Sequence, residues 1–398
     1  SGPLFLFLAN LPPNPHALSI VEPHWLLSDL LVLLWLAAGL RFVFERIPRA
    51  GWAVAAVVLV ELGVLGAGHY ASACRRESFY LEDFTRNVLR SSPPGSIVIS
   101  KKDVQIFGLW YAHDLRGKGA QATPVAQGMA GSGWYQDSMR LRDPKLKLGP
   151  LRDAADWKRL RAENPRPLVA APDADLPSEV PAAPYGMLAL VDGKGSLAPW
   201  EFLVTRGLFR YEDAQDFFAS DLIDMVAAPR QRTAADLLRA GDIAGAERFS
   251  RLAWAAKWLF PDAPLFLGYL EFQRGALDSA ERLYALSGQL YDRLLGLAEV
   301  YHALPDVKKG IWKASAEPFQ NLGVVLEKRK SLDQAEAAYR EALRRDPASA
   351  KVWYNLGALF WNRDWKRSAE AFRKAAELDP SNQQARNFAE QAAARLPK

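Results

Sequence analysis

The feature that most constrains this chain is a duplicated stretch near its end. "FQNLGVVLEKRKSLDQAEAAYREALRRDP" (Phe319 to Pro347) aligns with "WYNLGALFWNRDWKRSAEAFRKAAELDP" (Trp353 to Pro380). The Asn-Leu-Gly triplets begin at 321 and 355, a period of 34 residues, whereas the closing prolines at 347 and 380 are 33 apart. The second copy is therefore one turn residue shorter. Each copy reads as two amphipathic helices whose apolar faces are too small to be buried alone, so neighbouring copies must stack over a shared core. Gly323 and Gly357 are expected to let the paired helices approach closely. Ala342 and Ala375 then fill the tight crossing, and Tyr339 and Phe372 plug the groove between repeats.

A large residue, Leu-Gly, a small residue, an aromatic, Ala and then Asp-Pro resemble the tetratricopeptide repeat (TPR), which implies an all-α solenoid. An earlier copy, "PLFLGYLEFQRGALDSAERLYALS", keeps the spacing with Gly268, Ala280 and Tyr284, and "LLRAGDIAGAERFSRLAWAAKWLFPDA" reads as the second half of another. Residues 382–396 supply the solvating cap helix that a stack requires. TPR-like repeats are thus expected over residues 230–398. Such a stack makes a concave surface for a peptide or protein partner. Asn321 and Asn355 occupy one inward-facing position in successive repeats, and Lys351 lies one turn before Asn355. Amides there suit an extended backbone, and a lysine suits a carboxylate. The alternative is a groove packed against the chain's own α/β domain.

Two apolar runs shape the other end. "WLLSDLLVLLWLAAGLRFVF" and "GWAVAAVVLVELGVLGAGHY" are each about twenty residues, the length that crosses a bilayer as helix. They predict a transmembrane hairpin over 24–71. Arg41, Arg46 and Arg49 cluster at the connector, and no Lys or Arg precedes them, so the positive-inside rule puts the connector in the cytoplasm. Residues 1–23 are then an extracytoplasmic loop, and everything after Tyr70 lies outside a bacterial inner membrane, in the periplasm. Two acids fall within the runs. Asp29 is one turn inside the first, and Glu61 is near the middle of the second, where an ionisable group costs roughly 2.5–3.5 kcal/mol. Glu61 implies neighbouring membrane helices outside this chain; the alternative is a protonated Glu tolerated in an anchor.

Between these ends, residues 75–225 read as a small α/β extracytoplasmic domain. Strands are predicted at Ser96 to Ser100 and in "TPVAQG", "RPLVAA" and "YGMLALVD", with helices between them, so a mainly parallel sheet is expected. Lys101, Lys102 and Asp103 follow the first strand and Gly128 to Trp134 the second, where open sheets often bind ligands. Pro172 to Pro184 reads as an ordered loop or linker. Composition excludes several classes. Net charge is only +5, with bases and acids interleaved, which is a solvated helical surface and not a nucleic-acid tract. There is no zinc spacing, phosphate loop or nucleophile elbow, and the single cysteine, Cys74, precludes an internal disulfide.

The order of pieces resembles the C-terminal half of a bacterial multi-pass membrane family related to transmembrane, TPR-containing protein O-mannosyltransferases, within the C-type glycosyltransferase superfamily. The residues that carry the resemblance are "GPLFLFLANLP", the hairpin, "YLEDFTRNVLRSSPPGSIVIS" running into "LWYAHDL", and "GSGWYQDSMR". Lys101-Lys102-Asp103 stands where the family has Gly-Asp-Asn, so no role is carried onto that loop. The resemblance implies sugar transfer from a lipid-linked (polyprenyl-phosphate) donor, with the catalytic acids on an earlier loop outside this chain. No catalytic residue, metal or cofactor is therefore assigned within it. Asn10, His16, Glu22 and His24 are candidates to line the substrate mouth. Two readings follow. One is the non-catalytic part of such a glycosyltransferase, dependent on a missing membrane half or partner subunit. The other is a membrane-anchored TPR scaffold that recruits an envelope protein.

Overall fold

The computed structural model describes residues 26–46, 48–73, 79–115, 117, 122–206, 217–300 and 303–396. The chain divides into two compact units, Ser1–Pro229 and Arg230–Lys398.

The first unit begins with two consecutive helices, α1 (Leu26–Arg46) and α2 (Pro48–Ala73), which pack on each other. Apolar side chains stand exposed on both, among them Leu33 and Trp35 of α1 and Val60 and Val64 of α2. Among the described residues no helix is long and apolar enough to cross a membrane.

The sheet follows. α3 (Tyr80–Ser91) leads into β1 (Ile97–Ser100), α4 (Asp103–Trp110) and a π-helical turn, Tyr111–Leu115. Then come β2 (Thr123–Ala126), α5 (Gly133–Arg142), α6 (Ala154–Glu163), β3 (Leu168–Ala170), β4 (Ala182–Tyr185) and β5 (Leu188–Val191). Strand order is β2-β1-β3-β5-β4. β1 pairs in parallel with β2 and β3, but β5 runs antiparallel to both β3 and β4. The expected mainly parallel sheet is thus a mixed one. The reason lies in the proline-rich stretch, whose last residues form β4 and turn back through Gly186 at φ 59. Pro184 is tolerated there because β4 is an edge strand. Every residue of β1 is buried, and its apolar side chains pack against Phe84, Ile106, Leu109 and Trp157.

α3 carries an unusual load for an amphipathic helix, since Asp83 and Asn87 are both buried on its inner face. Asn87 donates to the Val204 carbonyl at 2.7 Å and accepts from the Val204 amide at 2.8 Å. Asp83 accepts from the Arg206 guanidinium at 2.6 and 2.9 Å and from its amide at 2.5 Å. These two side chains, spaced four apart on one helix face, tie segment 204–206 to α3.

The long helix α7 (Phe217–Arg239) contains Pro229, where the two units divide. The second unit continues with α8 (Ile243–Ala256), α9 (Asp262–Gln273), α10 (Leu277–Val300), α11 (Pro305–Ala314), α12 (Ala316–Lys328) and α13 (Leu332–Arg345). It ends with α14 (Ala350–Phe360), α15 (Trp365–Leu378) and α16 (Gln383–Ala393). In three successive pairs an aromatic ring lies flat against a glycine. A Cβ added at Gly268 would meet Tyr284 at 2.9 Å, one at Gly323 would meet Tyr339 at 2.5 Å, and one at Gly357 would meet Phe372 at 2.7 Å. Ala280, Ala335, Ala342 and Ala375 are fully buried at the crossings. The cap helix α16 packs on α15, with Phe388 stacked on Phe372 at 5.3 Å.

The turns joining paired helices each hold a left-handed residue: Gly241, Gly275, Lys330 and Asn362. Lysine suffers there from its Cβ, at about 1–2 kcal/mol. Two thermal-melt outcomes are expected. Lys330→Gly raises stability by about 0.5–1 kcal/mol, the relieved strain less the added chain entropy. Gly323→Ala lowers it by about 1–2 kcal/mol, because the buried Tyr339 ring has nowhere to move and overpacking outweighs alanine's better helix propensity.

Candidate functional site

The residues expected to face a repeat groove lie on α12 and α14, the first helices of adjacent pairs. Lys351 and Asn355 are four apart on α14 and so share a face. Lys351 is exposed and Asn355 half-buried, and neither has a side-chain partner among the described residues. Asn321 holds the matching position on α12. Its Oδ1 accepts from Gln320 Nε2 at 3.3 Å, which leaves its amide N–H groups available. Two amides and one ammonium are thus available along successive helices. What they can do is bind backbone carbonyls and a carboxylate.

Behind this face lies a charge that periodicity did not reveal. Arg345 closes α13 with its side chain only 3% exposed. It donates to Asp292 of α10 at 2.7 Å, to Glu341 at 2.7 Å and to the Ser315 hydroxyl at 2.8 Å. Its guanidinium also covers the rings of Phe319 and Trp312, at 4.2 and 4.9 Å. The next repeat has Leu378 at the equivalent place, so the only sequence signal was an arginine where an apolar residue was due. α11 is an extra helix between repeats, and it brings the Trp312 ring beneath the guanidinium.

Glu61 is exposed on α2. With Ala56, Val57, Val60, Val64 and Leu65 it lines a depression of about 700 Å³ along that helix. The backbone of Asp29 lies in α1, while its side chain lies outside what the structure describes. Asn10, His16, Glu22 and His24 also lie outside the described residues.

The crevice at the carboxyl ends of β1 and β3 is where a ligand is expected in a sheet of order 2-1-3. Here the chain fills it. Asp173, 6% exposed, accepts through Oδ2 from the Ser100 hydroxyl at 2.7 Å and from the amides of Lys101 and Lys102 at 2.7 and 2.9 Å. Those amides open α4 and are what an anionic ligand would use. The Lys101 ammonium pairs with Asp175 and that of Lys102 with Asp221. The strand-end cluster therefore reads as an internal lock. Gln127, just after β2, joins it by accepting from the Asp175 amide at 2.8 Å and donating to its carbonyl at 2.9 Å. No group of His, Cys, Asp and Glu able to hold a metal occurs among the described residues.

The tetratricopeptide repeat family model matches residues 316–359, which span α12, α13 and most of α14. The second unit is a TPR-like solenoid. Solved structures overlap it at low similarity. The crystal structure of MamA is 18% identical, with 40% of this chain and 82% of that one covered and a TM-score of 0.31. The APC/C hetero-tetramer Cut9-Hcn1 is 14% identical, with 49% and 36% covered and a TM-score of 0.35. The C-terminal TPR-containing domain of a Plasmodium falciparum FK506-binding protein is 21% identical, with 34% and 87% covered and a TM-score of 0.28. No curated protein matches the chain.

Two outcomes follow for the solenoid. Arg345→Leu removes charge-assisted hydrogen bonds from partners that water can partly reach, and is expected to cost about 2 kcal/mol in urea unfolding. Acid is expected to weaken the unit as well. Arg344 and Arg345 hold the Glu341 carboxyl below its ordinary range, and Arg274 and Arg251 do the same for Glu247. A depressed folded pKa contributes stability above the unfolded value and loses it as pH falls through the folded one. The urea midpoint should therefore hold from pH 7 to about 5 and drop below about pH 4.

Proposed function

We propose that this chain is a membrane-anchored scaffold whose TPR-like solenoid recruits an extended peptide or an exposed chain end of a protein partner. The observation that carries the reading is the unpaired Lys351–Asn355 face, repeated one helix pair earlier at Asn321. Donors of matched spacing on stacked helices suit a backbone and a terminal carboxylate. The apolar exposed sides of α1 and α2 support the anchor, with the sheet domain and the solenoid on the extracytoplasmic side of a bacterial inner membrane.

One observation favours a second reading, in which the chain is the non-catalytic part of a glycosyltransferase that draws on a lipid-linked sugar. Glu61 lies among Ala56, Val57, Val60 and Val64 on one face of α2, small and β-branched residues on which another helix can pack closely. Such a helix belongs to a larger membrane bundle.

The groove is tested by fluorescence anisotropy of labelled peptides with free or amidated C-termini, titrated into the full chain. Lys351→Ala is expected to weaken a free-carboxylate peptide about tenfold and an amidated one little, and Asn355→Ala to weaken both about fivefold. Equal binding by wild type and both variants defeats the scaffold reading. Glu61 is tested by crosslinking in source-cell membranes: Glu61→Leu should abolish adducts with other membrane proteins if a bundle surrounds α2, and leave the profile unchanged for a bare anchor.

A further inference from the structure

At the amino-terminal edge of the sheet, beside the starts of β1 and β2, the first unit carries a cavity of about 460 Å³ with a mixed polar and apolar lining. It lies against the π-helical turn Tyr111–Leu115. Such turns are rare and are frequently found at functional sites. Here it places His113 and Asp114 at the cavity, opposite Arg142, Asp143 and Arg166 from the end of α5 and the approach to β3, with Trp110 alongside.

These groups form two matched pairs. Arg142 lies 2.8 Å from Asp114, and Arg166 lies 2.5 Å from Asp143. Asp114 also orients His113, whose Nδ1 is 2.6 Å from its Oδ1. The other ring nitrogen has no partner among the described residues. Asp143 further accepts from the Thr123 hydroxyl at 2.9 Å. Burial pushes the Asp143 carboxyl up, but hydrogen bonds from Arg166 and Thr123 outweigh it and hold the group below its ordinary value. Two guanidiniums therefore face two carboxylates, and their formal charges cancel. Each guanidinium has five N–H groups, so both keep donors to spare, and the carboxylates keep lone pairs.

That balance selects the ligand. An anion would have to compete with Asp114 and Asp143 for the arginines, and a cation with the arginines for the acids. A hydroxyl group both donates and accepts, so it can bridge an arginine and a carboxylate without breaking either pair. The half-buried indole of Trp110 offers an apolar surface beside these alternating donors and acceptors. The volume falls within the ~300–1,000 Å³ of small-molecule sites. We infer that this cavity binds a small, neutral, polyhydroxylated molecule, a monosaccharide or cyclic polyol. The inference does not depend on the repeat groove.

The test is saturation-transfer NMR on the full chain in a detergent without sugar groups. The probes are the methyl glycosides of glucose, mannose and galactose, myo-inositol, glycine and inorganic phosphate. At least one neutral polyol is expected to receive saturation at millimolar concentration, while glycine and phosphate do not. Arg142→Gln and His113→Gln should each weaken that binding about fivefold. Both side chains reach solvent, so the melting temperature should stay within a degree or two and separate a lost site from a lost fold. If no polyol binds, if glycine or phosphate is preferred, or if the double variant binds as the wild type does, the inference fails.

Discussion

The second unit depends on one contact: a buried aromatic ring laid against a glycine of the preceding helix. With a side chain at the glycine the helices separate by the thickness of a methyl group. With a smaller residue at the aromatic the crossing opens into a cavity. The same pair recurs as Gly268–Tyr284, Gly323–Tyr339 and Gly357–Phe372, so the two helices of each pair are held at one spacing. The burial of Tyr284 and Tyr339 pushes their phenols well above the ordinary range, as expected of rings held for packing and not for proton transfer. The matched positions of Asn321 and Asn355 on successive pairs inherit their regularity from these contacts.

The first unit is organised differently, by carboxylates that act as substitutes. Asp173 takes the backbone amides at the start of α4, and Asp83 takes the amide and guanidinium of Arg206. In each case a buried acid satisfies donors that would otherwise need water or a ligand. The strand-end crevice, the usual ligand site of such a sheet, is consequently committed to holding the fold. At the opposite edge, beside the π-helical turn, Arg142, Arg166 and His113 keep donors and acceptors to spare.

Legibility differed between the two units for a physical reason. In the solenoid the contacting residues are close in sequence and recur, so Gly268, Ala280 and Tyr284 were readable even in a degenerate copy. Arg345 was not, because its partners Asp292 and Ser315 lie 53 and 30 residues away and its role arises from the inserted helix α11. In the α/β unit the strands Ile97–Ser100, Thr123–Ala126 and Leu168–Ala170 fell within the runs read from apolar pattern. Their parallel pairing matches the expected direction, but the antiparallel pairing of β5 with β3 and β4 did not follow from the pattern, since a short buried strand looks the same in either orientation.

The sequence by itself determined the helical pairs, their glycine and aromatic seats, the cap helix and the apolar character of α1 and α2. All of these rest on spacing along one or two adjacent elements. Tertiary structure decided the mixed sheet and the closure of the strand-end crevice by Asp173. It also decided the burial of Arg345 and the gathering of His113, Asp114, Arg142, Asp143 and Arg166 around one cavity. Those five residues span 54 positions, from 113 to 166, and three separate elements. Hydrogen bonds and ion pairs of that reach carry no period, so they exist only once the chain has folded.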